Sequence, residues 1–355
     1  MLSVSETDLQ TAASALVAGK LVALPTETVY GLGANAYDPV ALARVFEAKC
    51  RPTFDPLIVH IADLATLDKI ADFSLLASAA ASFAHALAAR LWPGPLTLIL
   101  PKKAIIPDLA TSGLPTVAVR FPAHPVALRL IALSTGAVAA PSANPFGYIS
   151  PTDAQHVADT LGDRIDFIVD GGPCEVGVES TVLDLTSPVP TILRPGGMPR
   201  ECIEAVIGPV SVLTSKPDSE SGPVSAAAVS PGLLTSHYAP RAPLELFPYG
   251  SLPRERVAEP GIALLFFDGQ SRDRFFRGFE GPPESLVSAG RQLEQPISKV
   301  LSEEGNPVEA AARLFKILHE LDGLKVTGIL AERVPAGGLG DAINDRLFKA
   351  RSAAR

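Results

Sequence analysis

The sequence predicts an α/β protein with α+β character: a twisted mixed sheet with helices packed on it, then a smaller parallel α/β domain. Three observations carry this. Short apolar runs of strand length alternate with helix-spaced segments, but irregularly, which argues against a clean doubly wound repeat. No internal repeat of the solenoid kind is visible. From about Val210 the texture changes to a Ser/Pro/Ala/Gly tract over 215–231, and a second series of elements begins behind it. At 355 residues the chain is long enough for two cores. The expected division is 1–209, a linker at 210–241, and 242–355.

The elements follow in order. Glu6 to Ala18 carries Leu9, Ala13, Leu16 and Val17 on one helical face. Leu21 to Leu24 is a strand stopped at Pro25, and a polar, glycine-containing segment runs from Thr26 to Gly33. Asp38-Pro39 opens a helix with a carboxylate cap and proline in the first turn. It closes at Lys49-Cys50-Arg51-Pro52. Leu57 to Ile61 is a strand with His60 near its end. Leu64 to Ala71 and Leu75 to Leu91 read as helices, Leu96 to Leu100 and Thr116 to Phe121 as strands, Pro125 to Leu133 as a helix. Ala137 to Ala140 is a short strand entering Pro141-Ser142-Ala143-Asn144. Ser150-Pro151-Thr152 is expected to cap a helix over Asp153 to Leu161. Strands follow at Phe167 to Asp170, Thr181 to Leu185 and Pro190 to Arg194. In the second domain, strands at Leu244 to Phe247 and Ile262 to Phe267 precede an amphipathic helix from Pro307 to Asp322. A strand at Thr327 to Ala331 and a terminal helix complete it.

Composition excludes several functions. The net charge of -8, from 30 basic and 38 acidic residues, argues against broad nucleic-acid binding. Cys50, Cys174 and Cys202 have no paired spacing, so neither a disulfide framework nor a zinc site is expected. Glu6 and Asp8 interrupt any signal-like N-terminal window, and no apolar run reaches membrane-spanning length. The expectation is a cytoplasmic protein. Gly31-x-Gly33-x-x-Ala36 resembles a dinucleotide fingerprint, but a helix starting only at Asp38-Pro39 comes too late for one. Phosphate-loop and nucleophile-elbow motifs are absent from the sequence.

What remains is a distributed set at strand ends and helix starts: Lys49, Arg51, Arg120, Ser142, Asn144, Ser150, Ser180 and Arg194. Each alone reads as a solvated cation or a cap. Together, guanidinium groups with hydroxyl and amide donors suit a polyphosphate and a carboxylate. Chemistry at phosphate needs mainly positioning and charge neutralisation.

In that set Lys49-x-Arg51 with Ser142-x-Asn144 resembles the KxR…SxN signature of the YrdC/Sua5 family. PTETVYGLG, RPxxxPLIVH, PSAN with SPT, ESTV, RPG and SPGLLTSHYAP stand in that family's order across nearly the whole chain. The resemblance is to the long Sua5 form. It implies a YrdC-like sheet and a Rossmann-like C-terminal domain. It also implies a nucleotidyltransferase that makes L-threonylcarbamoyl-AMP and pyrophosphate from L-threonine, bicarbonate or CO2, and ATP, for t6A37 modification of tRNA. Carried over by position, Thr28, His60, Arg120, the backbone at Ala140, and Ser180 would hold threonine. Lys49, Arg51, Asp55, Thr116, Ser142, Asn144, Ser150, Arg194 and Tyr238 would hold ATP. Lys49, Arg51, Ser142 and Asn144 form the catalytic signature. Mg2+ would arrive on the ATP phosphates with no protein metal site. His237-Tyr238 would close as a lid. The implied partner is a tRNA threonylcarbamoyl transferase that takes the product, with tRNA contact indirect or weak and no membrane.

Two positions depart from the family pattern: Asp55 where Asn is usual, and Cys50 where Gly is frequent. An acid near a triphosphate is unfavourable unless a cation offsets it. The competing readings are a tRNA- or double-stranded-RNA-binding module, and a threonine/ATP sensor without turnover.

Overall fold

The structure, a computed structural model, describes residues 1–213, 237–277, 286–288, 291–293 and 297–351. These fall into two compact units. The first comprises Met1–Phe146 with the described chain from Ser150 onward to Leu213; the second comprises Gly147–Ile149 with the described chain from His237 onward. The Ser/Pro tract expected as linker lies outside the described residues.

The first unit contains α1 (Glu6–Val17), β1 (Val22–Leu24), β2 (Gly31–Asn35), α2 (Pro39–Lys49), β3 (Ile58–Ile61), α3 (Leu64–Ile70), α4 (Ser78–Leu91), β4 (Leu96–Pro101) and β5 (Thr116–Arg120). It continues with α5 (Pro125–Leu133), β6 (Ala137–Ala139), α6 (Ala154–Leu161), β7 (Phe167–Ile168), β8 (Thr181–Asp184), β9 (Thr191–Arg194), α7 (Arg200–Ile207) and β10 (Ser211–Val212). The strands form one ten-stranded sheet in the order β10-β9-β8-β4-β5-β3-β6-β2-β1-β7. It is mixed: β3 pairs with β5 and β4 with β8 in parallel, whereas β4–β5, β3–β6 and β8–β9 are antiparallel.

Strand alternation sorts the side chains of this sheet. Leu32, Val59, Leu98, Val119 and Leu183 face the main core, where α2, α3, α4, α6 and α7 cover them. On the opposite face the β1–β6–β7 side, with Val22, Leu24 and Val138, is covered by α1 and α5. The central strands on that face present a separate buried apolar cluster of Ile58, Ile99, Ala118, Val182 and Leu193. His60, Arg120, Thr97 and Ser180 lie two residues from members of that cluster, so they share its face. The site is therefore built on the central strands, beside the helix pair.

The structure corrects four local expectations. Gly31 and Gly33 are part of a strand, β2, in a segment expected to be irregular. A Cβ on Gly33 would come within 2.6 Å of Leu24 and 2.9 Å of Val138, so the glycine permits close strand packing and no dinucleotide turn is formed. Helix α6 is capped by Asp153, whose carboxylate accepts from the His156 N–H, in place of the expected Ser150-Pro151-Thr152. Helix α7 was missed because its N-cap, Pro199, supplies no side-chain acceptor. In the second unit, α8 (Gly269–Phe276) and β15 (Ile297–Ser302) were missed because charged residues break their apolar periodicity.

The second unit has β11 (Leu244–Phe247), β12 (Ile262–Asp268), α8, the short β13 (Leu286–Ser288) and β14 (Arg291–Leu293), β15, α9 (Pro307–Gly323), β16 (Gly328–Glu332) and α10 (Leu339–Ala350). Its four-stranded sheet, β11-β16-β12-β15, is parallel throughout, as expected. Among the described residues no helix is long and apolar enough to cross a membrane.

Candidate active site

One end of the site sits where β3 and β5 run side by side. Their parallel register pairs His60 with Arg120. Arg120, buried at the end of β5, donates from Nη1 to Thr28 Oγ1 at 2.9 Å. Its Nη2 lies 2.7 Å from Glu27 Oε1, an ion pair without hydrogen-bond alignment. Thr28 Oγ1 in turn shares a 2.8 Å hydrogen bond with Thr26. His60 is buried, with Nδ1 3.2 Å from the Ile58 carbonyl. Burial, reinforced by the Arg120 charge, pushes its pKa down to about 3, so the imidazole is neutral at any ordinary pH. It can orient a ligand; it is a poor proton acceptor.

A second compartment is cationic. Lys49, the last residue of α2, is buried and donates Nζ to the main-chain carbonyls of Ser142 (2.5 Å) and Asn144. Burial first, then the Arg51 charge, holds its pKa well below the ordinary lysine value, with Asp55 and Glu179 opposing. An anionic ligand beside it would favour its charged form. Between Lys49 and Arg51 the chain turns through Cys50 in the left-handed region (φ 52). That turn leaves Cys50 exposed on a cleft of about 400 Å³ shared with Arg44 and Arg164, and sends Arg51 inward. Arg51 donates to the carbonyls of Asp55 (3.0 Å) and Pro56 (2.9 Å) and pairs with the Asp55 carboxylate at 2.9 Å. Asp55 is fully buried; burial raises its pKa, while Arg51, Lys49 and Arg194 pull it down.

Ser180 joins the two compartments. Its Oγ hydrogen bonds Thr97 at 2.8 Å, and Thr97 is the β4 partner of Arg120. The same Oγ accepts from Arg194 Nη2 at 3.2 Å, and the Ser180 carbonyl accepts from Arg194 Nη2 (2.8 Å) and Nε (3.2 Å). Next to it Glu179 accepts a 2.5 Å bond from Ser150 Oγ. Gly196 makes this junction possible: a Cβ there would lie 2.4 Å from the Glu179–Thr181 backbone.

Two family models match the chain. One, described as Telomere recombination, covers residues 14–196; the other, described as the C-terminal domain of threonylcarbamoyl-AMP synthase, covers 198–352. The threonylcarbamoyl-AMP synthase of Pyrococcus abyssi is 44% identical over 98% of this chain and 95% of its own. The Bacillus subtilis protein of the same name is 43% identical over 98% and 94%. The crystal structure of P. abyssi Sua5 complexed with L-threonine superposes with a TM-score of 0.81 at 40% identity, covering 98% of this chain and 96% of that one. The chain belongs to the Sua5 family of threonylcarbamoyl-AMP synthases.

Within this Sua5-family chain, Thr28, His60, Arg120 and Ser180 form one connected group. Lys49, Arg51, Asp55, Ser142, Asn144, Ser150 and Arg194 gather around the α2 terminus and the Glu179–Ser180 junction. Ala140 lies on the adjacent strand end, its N–H bonded to the Ile58 carbonyl at 2.9 Å. Thr116 stands apart from these contacts. It begins β5, roughly 13 Å along the strand from Arg120 at about 3.3 Å per residue. Tyr238 is buried in the second unit against Phe315, with the Arg346 guanidinium 5.1 Å over its ring. His237 donates its N–H to the Lys349 carbonyl in the same unit.

Residue-level reading assigned no role to Glu27, Glu179 or Thr97. The first two stand inside PTETVYGLG and ESTV, so the signal was present. Thr97, an ordinary β-strand residue by sequence, offered none.

Proposed function

We propose that the chain condenses L-threonine, bicarbonate or CO2, and ATP into L-threonylcarbamoyl-AMP and pyrophosphate. The observation that carries this reading is the pair of compartments meeting at Ser180, one built around a single guanidinium, the other around three cations. Arg120 would take the threonine carboxylate, with Thr28, His60, Ser180 and the Ala140 backbone placing the rest. Lys49, Arg51 and Arg194 would neutralise the phosphates, with Asp55, Ser142, Asn144 and Ser150 around them and Thr116 toward the base. His237 and Tyr238 would close over the nucleotide.

The neutral threonine amine adds to the carbon of CO2, one C–O π bond opens, and an N–H proton leaves to water, giving an N-carboxylate. An oxygen of that carboxylate attacks the α-phosphorus, and the bond to the leaving pyrophosphate breaks. Cations fixed around the phosphates stabilise the added negative charge without reorganising. Among the described residues no three His, Cys, Asp or Glu side chains gather as metal ligands. Mg2+ would come as a companion of the nucleotide phosphates, where it would supply further charge neutralisation. The product's mixed anhydride would pass to a tRNA threonylcarbamoyl transferase for t6A37 formation.

The test is ATP-dependent pyrophosphate release with threonine and bicarbonate each present or withheld. Release that needs both, and that falls strongly with serine, is expected. Release without threonine would sink the reading.

A further inference from the structure

Glu27 is the charged group nearest Arg120 that the reading above leaves without a task. It is 6% exposed, and neither carboxylate oxygen accepts an aligned hydrogen bond from any described residue. A buried carboxylate that serves only as structure is normally saturated with donors, because its desolvation is otherwise costly. Arg120 shows the same incompleteness on one side. Nη1 is used by Thr28, whereas Nε and Nη2, the edge that grips a carboxylate in bidentate fashion, make no aligned hydrogen bond.

We infer that Glu27 receives the α-ammonium group of the amino-acid substrate while Arg120 receives its carboxylate. The inference rests on reading the Arg120 pocket as the amino-acid site. An α-amino acid carries a positive and a negative charge on substituents of one carbon. The 2.7 Å Glu27–Arg120 contact sets the complementary charges side by side. With His60 uncharged, the pocket is close to neutral and matches a zwitterion, which separates it from the cationic phosphate compartment. The other groups whose charge bears on Glu27 are His124, which burial keeps toward its neutral form, and Cys174, whose thiol burial holds protonated. Neither replaces a carboxylate as partner for an ammonium.

The contact has a chemical consequence. An ammonium nitrogen has no lone pair for carbon. On Glu27 one N–H bond breaks, the proton moves to a carboxylate oxygen, and the electron pair stays on nitrogen. The neutral amine then adds to CO2, and its second proton leaves to water.

The experiment measures binding of L-threonine and of (R)-3-hydroxybutanoate, which is threonine without its amine, to the full chain and to Glu27→Gln. The wild-type chain is expected to prefer threonine at least about thirtyfold. Glu27→Gln should weaken threonine about tenfold or more and leave 3-hydroxybutanoate within about twofold, since Arg120 keeps its carboxylate contact. Glu27→Asp should recover part of the threonine affinity. Equal weakening of both ligands would make Glu27 a support for Arg120 and overturn the inference, as would unchanged threonine binding. Nucleotide binding reports folding; if Glu27→Gln loses it, the wild-type preference decides alone, and equal affinity for the two ligands overturns the inference. A folded wild-type chain that binds neither ligand would instead remove the amino-acid site itself.

Discussion

Both sheets end in buried polar groups, and the two sets differ in how completely they are bonded. In the second unit, Glu332 at the end of β16 accepts from the N–H groups of Phe267 (2.7 Å) and Gly250 (2.9 Å) and from Ser271 Oγ (2.6 Å). Asp268, ending β12, caps α8 through the Ser271 N–H and takes the Tyr249 hydroxyl at 2.8 Å. These carboxylates tie strand ends to the next helix and turn. In the first unit, Glu27 and Asp55 are just as buried, yet they lie beside cations and accept no aligned hydrogen bond from described residues. Saturated acids hold a fold; unsaturated ones beside cations leave bonding capacity for a ligand.

The comparison can be broken most directly at Arg51. Arg51→Ala alone would strand the buried Asp55 charge, so the informative variant is Arg51→Gln with Asp55→Asn. Pyrophosphate release should fall about 10²–10³-fold in that double variant, with little change in melting temperature. Turnover within threefold of wild type would remove Arg51 from the chemistry. Glu332→Ala should have the opposite signature. Leaving three donors without their acceptor should cost the second unit about 3 kcal/mol in denaturant unfolding while pyrophosphate release at 20 °C persists. Loss of activity without loss of stability would make the second cluster functional after all.

Two smaller effects sharpen the contrast. Asp55→Asn should tighten ATP by roughly thirtyfold, about 2 kcal/mol, because it removes a negative charge from among Arg51, Lys49 and Arg194. Weaker ATP binding in that variant would mean that Asp55 holds Arg51 in place for the nucleotide. His60 gives the pH dependence. Its folded pKa of about 3 lies below the ordinary 6.5, so above 6.5 the folded and unfolded states bind protons equally there. As pH falls from 6.5 toward 3, the unfolded chain binds a proton that the folded chain refuses, and stability drops by up to about 1.4 kcal/mol per pH unit. His60→Gln should flatten this part of the profile of melting temperature against pH; an unchanged slope would place a proton on His60 in the fold.

Much of the site was legible because its chemistry is carried by residue types in local strings. Lys49, Arg51, Arg120 and Arg194 are cations at the ends of apolar runs, and such placement needs an anion to make sense. Cys50, where the family pattern has Gly, takes the left-handed turn that Gly favours and stays exposed. Helix α2 followed from Asp38-Pro39, whose carboxylate accepts from Val40 N–H at 2.8 Å. Less legible were elements without local punctuation: β2 through its glycines, α7 without a side-chain cap, and β15 with a charge inside it.

By itself the sequence determined the mixed α/β class, the second parallel domain, and the presence of cations and hydroxyls at strand ends. Those depend on interactions within a few residues: alternation, caps and prolines. The tertiary structure alone decided which groups meet. That Ser180 links Thr97 to Arg194, and that Glu27 lies against Arg120, depends on the register of strands far apart in the chain. A one-residue slip would turn Thr97, Arg120 or Arg194 to the other face of the sheet. Whether a buried charge finds donors or only a counter-charge is likewise set by that long-range pairing, and no local string records it.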